Sequence, residues 1–209
     1  MDSTDAAELI AELQEDKAEH QAAETFRNRA ALLIAFLAAM LAIGGLGGGN
    51  ATDDLLVNNI RANDAWAFYQ AKTIRQTLFT IAADDIDASL AAAPPEARAA
   101  AAKRVADYRA TIARYDSEPD PAAPGDPLRG EGKKELRARA LAFEEARDRA
   151  SAQDNNFDLA EVALQLALVL GSVAILAVNR WILGLSVGLG LIGSVLTANG
   201  FLLLFPLPI

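Results

Sequence analysis

The chain of 209 residues contains no cysteine, one histidine and few aromatic residues, which make up 6% of the sequence. The lack of cysteine excludes disulfides, thiolate catalysis and Cys-based metal sites. A single histidine, His20, excludes a metal site built from several histidines. The net charge is −9, and no stretch is basic enough to neutralise phosphates, which argues against nucleic-acid binding.

Ionisable side chains are also missing from three long stretches, although 22% of the whole chain is charged. The uncharged stretches cover residues 30–52, 162–179 and 181–209. About 20 apolar residues in a helix cross a hydrocarbon layer of ~30 Å. We therefore predict an all-α membrane protein with three transmembrane helices. These helices are residues 30–49, 162–178 and 181–205. The two-residue link of Asn179 and Arg180 requires the last two to form an antiparallel hairpin.

The charged parts of the chain predict further helices outside the membrane. Residues 1–29 are rich in Ala and Glu and form an acidic arm with a thin apolar stripe, which predicts an amphipathic helix. Residues 50–161 are predicted to form a helical domain inserted between the first and second transmembrane helices. Its helices are expected at residues 51–91, at 96–116 and from Lys133 onward, with a proline-rich loop at 117–132. No helix breaker separates the third helix from the second transmembrane helix, so the two are expected to be continuous.

Residues 51–91 carry apolar side chains at alternating spacings of three and four, which predicts a coiled-coil seam. The seam consists of Val57, Ile60, Ala67, Ala71, Ile74, Leu78, Ile81 and Ala88. Asp64 and Asp85 lie on the same stripe, and a buried unpaired carboxylate is costly. These two carboxylates are therefore expected either to set the register of the seam or to meet arginines of the third helix, on the same chain or on a neighbouring copy. These arginines are Arg137, Arg139 and Arg147.

Small residues in the predicted transmembrane helices indicate close packing. Two rows on the third helix present small side chains at spacings of four, a pattern that lets helix backbones approach in lipid. The rows are Gly184 with Gly188, and Ser186 with Gly190 and Ser194. The glycine-rich residues 44–49 lack the Lys-Ser/Thr ending of a phosphate loop, so they favour either close helix packing or a flexible joint. Gln165 and Asn199 are expected at a similar depth, where they bond to each other or to nearby polar groups.

The positions of basic residues predict the orientation in the membrane. Arg27 and Arg29 precede the first transmembrane helix, and Arg180 lies in the hairpin, whereas acidic residues flank the inserted domain. Basic residues concentrate on the cytoplasmic side of membrane proteins. We therefore expect a multi-pass protein of the bacterial cytoplasmic membrane. Its N-terminus is predicted to be cytoplasmic, and its inserted domain and C-terminus extracytoplasmic.

One short motif has a distinctive sequence, with Trp66 followed by Tyr69, Gln70, Ala71 and Lys72. This stretch is similar to the Tyr-Gln-Ala-Lys signature of a family of bacterial membrane proteins, domain of unknown function 4337. The resemblance implies membership of that family and assigns no activity. The motif residues are either a binding patch or, in the favoured interpretation, packing groups of the helical domain. In the second case Lys72 pairs with an acid such as Asp64 or Asp107.

These patterns contain no catalytic, cofactor-binding or metal-binding constellation, so we do not predict an enzyme. We predict a non-catalytic structural or scaffold protein that contacts membrane lipid. It is expected to associate with itself or to serve as an accessory subunit of a larger membrane complex. Two alternatives remain open, which are an oligomeric channel or transport component and an extracytoplasmic ligand sensor.

Overall fold

The computed structural model describes residues 3–90 and 94–207, with side chains described from residue 13 onward. The regular secondary structure of these residues is helical, as predicted. The helices are α1 (Ser3–Leu90), α2 (Pro95–Asp116), α3 (Lys133–Ala177) and α4 (Arg180–Leu202). Three of them, α1, α3 and α4, contain a segment long and apolar enough to cross a membrane. The predicted continuity of the third helix with the second apolar segment holds, because α3 contains both.

Helix α1 has 88 residues and contains three stretches that the sequence separated, which are the acidic arm, the first apolar segment and the seam. The helix continues through residues 44–49 without interruption, so the interpretation of these glycines as a flexible joint is wrong. A Cβ atom added at Gly47 would lie 2.6 Å from Cζ of Phe157, and one added at Gly48 would lie 3.2 Å from Cβ of Phe157. A helix-interior glycine costs about 1 kcal/mol relative to alanine. Here its missing side chain admits an aromatic ring.

The described chain divides into two compact units, one formed by residues 53–149 and the other by residues 1–52 with 150–209. In the first unit, small and apolar side chains of α1, α2 and α3 are buried. They include Ala62, Ala65, Ala83, Val105, Leu136 and Ala140. The ring of Phe79 on α1 lies 5.2 Å from that of Tyr108 and 6.1 Å from that of Tyr115, both on α2. These tilted aromatic pairs and the alanines fix the packing of the two helices.

The second unit has its core where α1, α3 and α4 approach closely. Leu37, Leu164 and Ala167 are buried there, surrounded by Leu33, Met40, Leu41, Leu168 and Leu189. The link between α3 and α4 is Val178 and Asn179, one residue earlier than expected, and Val178 has a φ of 49°. The Asn179 side chain accepts hydrogen bonds from the N–H groups of Trp181 at 2.9 Å and Ile182 at 3.4 Å. This N-cap starts α4 directly after the turn.

Hydroxyl groups of the apolar helices bond within their own helix. The Ser172 hydroxyl donates to the Leu168 carbonyl at 2.9 Å, and Thr197 donates to Gly193 at the same distance. The Ser186 hydroxyl instead donates across to the Ala167 carbonyl of α3 at 2.6 Å. Among the described residues, every buried polar side-chain atom has a hydrogen-bond partner. This pairing is what an apolar environment requires.

The proline-rich residues 117–132 form a folded loop that is tied to the start of α3. Glu135 is 4% exposed and its carboxylate accepts from the Ser117 hydroxyl at 2.6 Å and from the Glu118 N–H at 3.1 Å. Arg139 donates to the carbonyls of Leu128 at 2.9 Å and Gly130 at 2.7 Å. The loop is therefore attached to α3 by two side chains, the carboxylate of Glu135 and the guanidinium group of Arg139.

The buried carboxylate of Glu135 makes the stability of this loop depend on pH. Burial raises its pKa, but the hydrogen bonds from Ser117 and Glu118 outweigh burial, so the pKa is lowered from 4.5. The unfolded chain then binds the proton more tightly, and the stabilisation is present above the unfolded pKa. It is lost as pH falls below 4.5 through the lowered folded value.

We expect Glu135→Gln to cost about 1–3 kcal/mol at neutral pH, because the buried charged acceptor of two hydrogen bonds is lost. The difference from the wild type should be constant above the unfolded pKa and shrink in more acidic solution. Chemical denaturation followed by Trp66 fluorescence measures it, in a Trp181→Phe background that removes an exposed second tryptophan. Glu131→Gln, at an exposed position of the same loop, is the matched control. A difference that does not change with pH would contradict the assigned role of Glu135.

Candidate interaction surfaces

The residues of the Trp66–Lys72 motif pack within the first unit. The Trp66 indole N–H donates to Oε1 of Glu144 on α3 at 2.9 Å, and its ring meets that of Tyr69 edge-on at 5.5 Å. The Lys133 ammonium lies 6.0 Å from the centre of the Tyr69 ring. These contacts give Trp66 and Tyr69 the packing role that the sequence favoured over a binding patch.

Lys72 pairs with an acid, but this acid is neither of the two that the sequence suggested as examples. Its ammonium lies 3.5 Å from Oε2 of Glu118 in the proline-rich loop, and 5.3 Å from the centre of the Tyr115 ring. Neither Asp64 nor Asp107 provides the contact, because the folded loop brings a nearer acid to the lysine. The other two motif residues face differently: Gln70 is exposed and Ala71 is half-buried. The motif is thus a junction of α1, α2, the loop and α3.

The predicted coiled-coil seam of α1 lies on the outer side of the first unit. Its large apolar side chains are between 42% and 62% exposed. They are Val57, Ile60, Ile74, Leu78 and Ile81. The opposite side of the same helix carries Ala62, Ala65, Ala83, Trp66, Tyr69 and Phe79, which pack against α2 and α3. Helix α1 therefore has two apolar faces, and the protomer covers only one.

The two acids of the seam are not buried against the third helix. Asp64 and Asp85 are both exposed. Arg139 bonds to loop carbonyls, and Arg147 donates to the neighbouring Asp148 at 2.7 Å. Within one protomer the seam acids therefore do not pair with these arginines, because the seam faces away from α3. The acids thus impose no desolvation cost within the protomer. Pairing with the arginines of a neighbouring copy stays a prediction.

The two small-residue rows of α4 differ in their surroundings. Ser186 and Gly190 are buried, and Ser194 is half-buried, so this row faces the protomer core. A Cβ atom at Gly190 would lie 2.5 Å from Cδ2 of Leu37 on α1. Gly184 and Gly188 are exposed, and a Cβ atom at either position would meet nothing within 4 Å. The row that begins at Ser186 packs inside the helix bundle, whereas the row of Gly184 and Gly188 lies on its surface.

The expected polar layer exists around Asn199 but has a different partner. Asn199 is 1% exposed and its amide N–H donates to Oδ1 of Asn156 at 2.7 Å and to the Phe205 carbonyl at 2.9 Å. The Phe205 N–H donates back to Oδ1 of Asn199 at 3.1 Å. Gln165 makes no bond to Asn199. It is exposed and donates to Glu161 at 2.8 Å, one turn earlier on α3.

Sequence reasoning missed Asn156, and it treated the neighbouring Phe157 only as an apolar heptad position of the third helix. Asn156 is 2% exposed, and the Phe157 ring lies 4.9 Å from that of Phe201 in an edge-on pair. Both precede the second uncharged stretch, so they were assigned to the extramembrane domain. An available signal was the glycine content of the facing segments, since Gly47 and Gly200 leave room for one large side chain.

These features define a helical protein with three segments able to cross a membrane and an apolar seam on its longest helix. The family model for domain of unknown function DUF4337 matches residues 26–203, and the chain belongs to this family. The family membership that the resemblance implied is thereby confirmed. Comparisons with curated proteins and with solved structures found no match.

The contrast between the α4 rows predicts opposite effects of the same substitution. Gly190→Leu should destabilise the protomer by about 1–3 kcal/mol or more, because the added side chain collides with Leu37. Gly188→Leu should leave protomer stability unchanged, because open space surrounds that position. Thermal unfolding of both variants in the same detergent measures the difference. Equal destabilisation by the two variants would contradict the arrangement of α4.

Proposed function

We propose that this protein is a non-catalytic, self-associating scaffold of the bacterial cytoplasmic membrane. The observation that carries the proposal is the exposed seam of α1, from Val57 to Ile81. Exposed large apolar side chains at heptad spacing are typical of a helix that pairs with another helix. The opposite face of α1 already packs within the protomer, so the seam is available to a further helix.

A second copy of the chain suits this seam because the membrane fixes the orientation in which two copies meet. Copies inserted in one bilayer have the same orientation, so their α1 helices meet in parallel. Val57 and Leu78 then occupy one set of core positions, and Ile60, Ile74 and Ile81 occupy the other. Parallel pairing in register also brings Asp64 and Asp85 opposite their equivalents. Polar residues at core positions select register and oligomer state at some cost in stability.

The open row of Gly184 and Gly188 supports the same function within the membrane. A glycine pair four residues apart on an exposed helix face lets a neighbouring helix approach closely. The seam and this row give each protomer two surfaces for contact with neighbours. An accessory-subunit role differs only in the identity of the neighbour. The composition of complexes extracted from the native membrane distinguishes the two.

The proposed topology places the N-terminal arm in the cytoplasm and the inserted domain outside. Because the chain has no cysteine, single cysteines are clean probes. Ala122→Cys lies at an exposed position of the proline-rich loop, and Ala18→Cys at an exposed position of the arm. In spheroplasts, a membrane-impermeant maleimide should label residue 122 and leave residue 18 unlabelled until the membrane is permeabilised. The reverse pattern would refute the topology.

Self-association is tested by polar substitution on the seam. Ile74→Asp and Leu78→Asp should shift the protein several-fold toward monomer in nanodiscs and mild detergent, because each places a charge in the apolar contact. Both side chains are 62% exposed, so the protomer should keep its stability. Thr80→Asp changes an exposed residue of α1 outside the seam and is the matched control.

Mass photometry measures the oligomer distribution, and thermal unfolding verifies each protomer. A wild-type protein that is monomeric in both environments would overturn the scaffold proposal. So would equal dissociation by the seam variants and by Thr80→Asp, since charge alone would then explain the effect.

A further inference from the structure

A cleft of about 570 Å³ lies beside the start of the first apolar segment of α1 and the first turn of α4. Its polar lining comes from Arg29 and Arg180, with Gln21 and Thr25 one to two turns before Arg29. Phe26 and Leu183 supply apolar walls. The cleft therefore combines two guanidinium groups with apolar surface, at a place separate from the seam of α1.

The described side chains supply no negative charge to this cleft. Among the residues whose side chains the structure describes, no carboxylate lines the cleft or forms an ion pair with Arg29 or Arg180. The arm is nevertheless rich in acids. Three of its described acids, Asp16, Glu19 and Glu24, line a different cleft together with Arg27. The arm thus segregates its charges, and the described lining of the cleft at Arg29 and Arg180 is free of acids.

Each of the two arginines is the last charged residue before an uncharged stretch of the chain. Arg29 directly precedes residues 30–52, and Arg180 directly precedes residues 181–209. Large apolar side chains follow at once and face outward, since Leu32 is 73% and Trp181 87% exposed. A ligand in this cleft is accordingly in contact with cationic groups on one side and with the lipid-facing surface on the other.

We propose that this cleft binds the phosphate of an anionic phospholipid. The guanidinium groups of Arg29 and Arg180 donate to the phosphate oxygens, and guanidinium suits phosphate because it can donate two parallel N–H bonds. The Thr25 hydroxyl donates to the Gln21 carbonyl at 2.8 Å, which leaves its lone pairs for a headgroup hydroxyl. The acyl chains lie along the exposed apolar surface that begins at Leu32 and Trp181. Basic pockets between membrane helices are known sites for anionic headgroups.

The test is lipid binding by the full-length protein, delipidated in detergent and measured by native mass spectrometry. Phosphatidylglycerol and phosphatidylcholine with identical acyl chains are the probes. The wild type should retain one phosphatidylglycerol with a preference of about tenfold or more, and Arg29→Gln combined with Arg180→Gln should abolish that preference. Arg27→Gln with Lys17→Gln, which removes the same charge from the arm outside the cleft, should bind like the wild type.

A conservative pair of substitutions controls for variants that fail to insert into the membrane. Arg29→Lys with Arg180→Lys keeps both charges and therefore the predicted orientation, but an ammonium group cannot donate the paired bonds. This variant should show a preference several-fold weaker than the wild type. An unchanged preference in the lysine variant would overturn the paired guanidinium bonds. An unchanged preference in the glutamine variant would overturn the proposal itself, as would an equal loss of preference in the control with Arg27→Gln and Lys17→Gln.

The same cationic groups could bind a soluble phosphate, so a further experiment distinguishes a lipid phosphate from a soluble one. Inorganic phosphate and glycerol 3-phosphate are added to the delipidated protein, and its melting temperature is followed. Phosphatidylglycerol should raise the melting temperature of the wild type at concentrations where the soluble anions do not. Stabilisation by the soluble anions, with no preference between the two lipids, would overturn the lipid assignment.

Discussion

The ring of Phe157 occupies a space that exists only because the residues facing it are glycines. A Cβ atom at Gly47 of α1 or at Gly200 of α4 would lie 2.6 Å from this ring, and the Phe201 ring meets it at 4.9 Å. The packing of three helices thus depends on one large side chain fitted against backbone. Apolar side chains gain little from leaving lipid, so close van der Waals contact has to supply the attraction between membrane helices. Gly47 and Gly48 serve this contact, and α1 remains helical through residues 44–49.

The heptad pattern of α1 illustrates what sequence periodicity can determine. The spacing of Val57, Ile60 and their successors predicted an apolar stripe, and the structure contains that stripe. Periodicity does not indicate whether the stripe faces its own chain, and here alanines and aromatic residues of the other face make the intramolecular contact. Those alanines carry little hydrophobic signal in the sequence, although Ala62 and Ala65 are nearly fully buried. For this reason the arginines of α3 do not meet Asp64 and Asp85 within the protomer.

The helix ends beside prolines were predictable, whereas the glycines of residues 44–49 and the changes in charge lie inside the continuous helices α1 and α3. Helix α2 begins at Pro95 and ends at Asp116, next to the predicted limits. Contacts that cross between elements were less predictable. The partner of Lys72 is Glu118, because the loop folds back on Glu135 and Arg139 through hydrogen bonds to its backbone. Such bonds to backbone groups depend on the path of the chain and leave no periodic mark in the sequence.

Asn199 performs a function that few side chains could take over. Its amide donates two hydrogen bonds and accepts one, and the two that it exchanges with Phe205 copy the pairing of two peptide groups on adjacent antiparallel strands. The side chain thereby acts as a substitute peptide unit, which ties the segment after α4 back onto the helix. A carboxylate in its place would lack the two donors, and a hydroxyl would lack one of them. A chain that ended before Phe205 would therefore leave a buried amide with two of its three hydrogen bonds unmade.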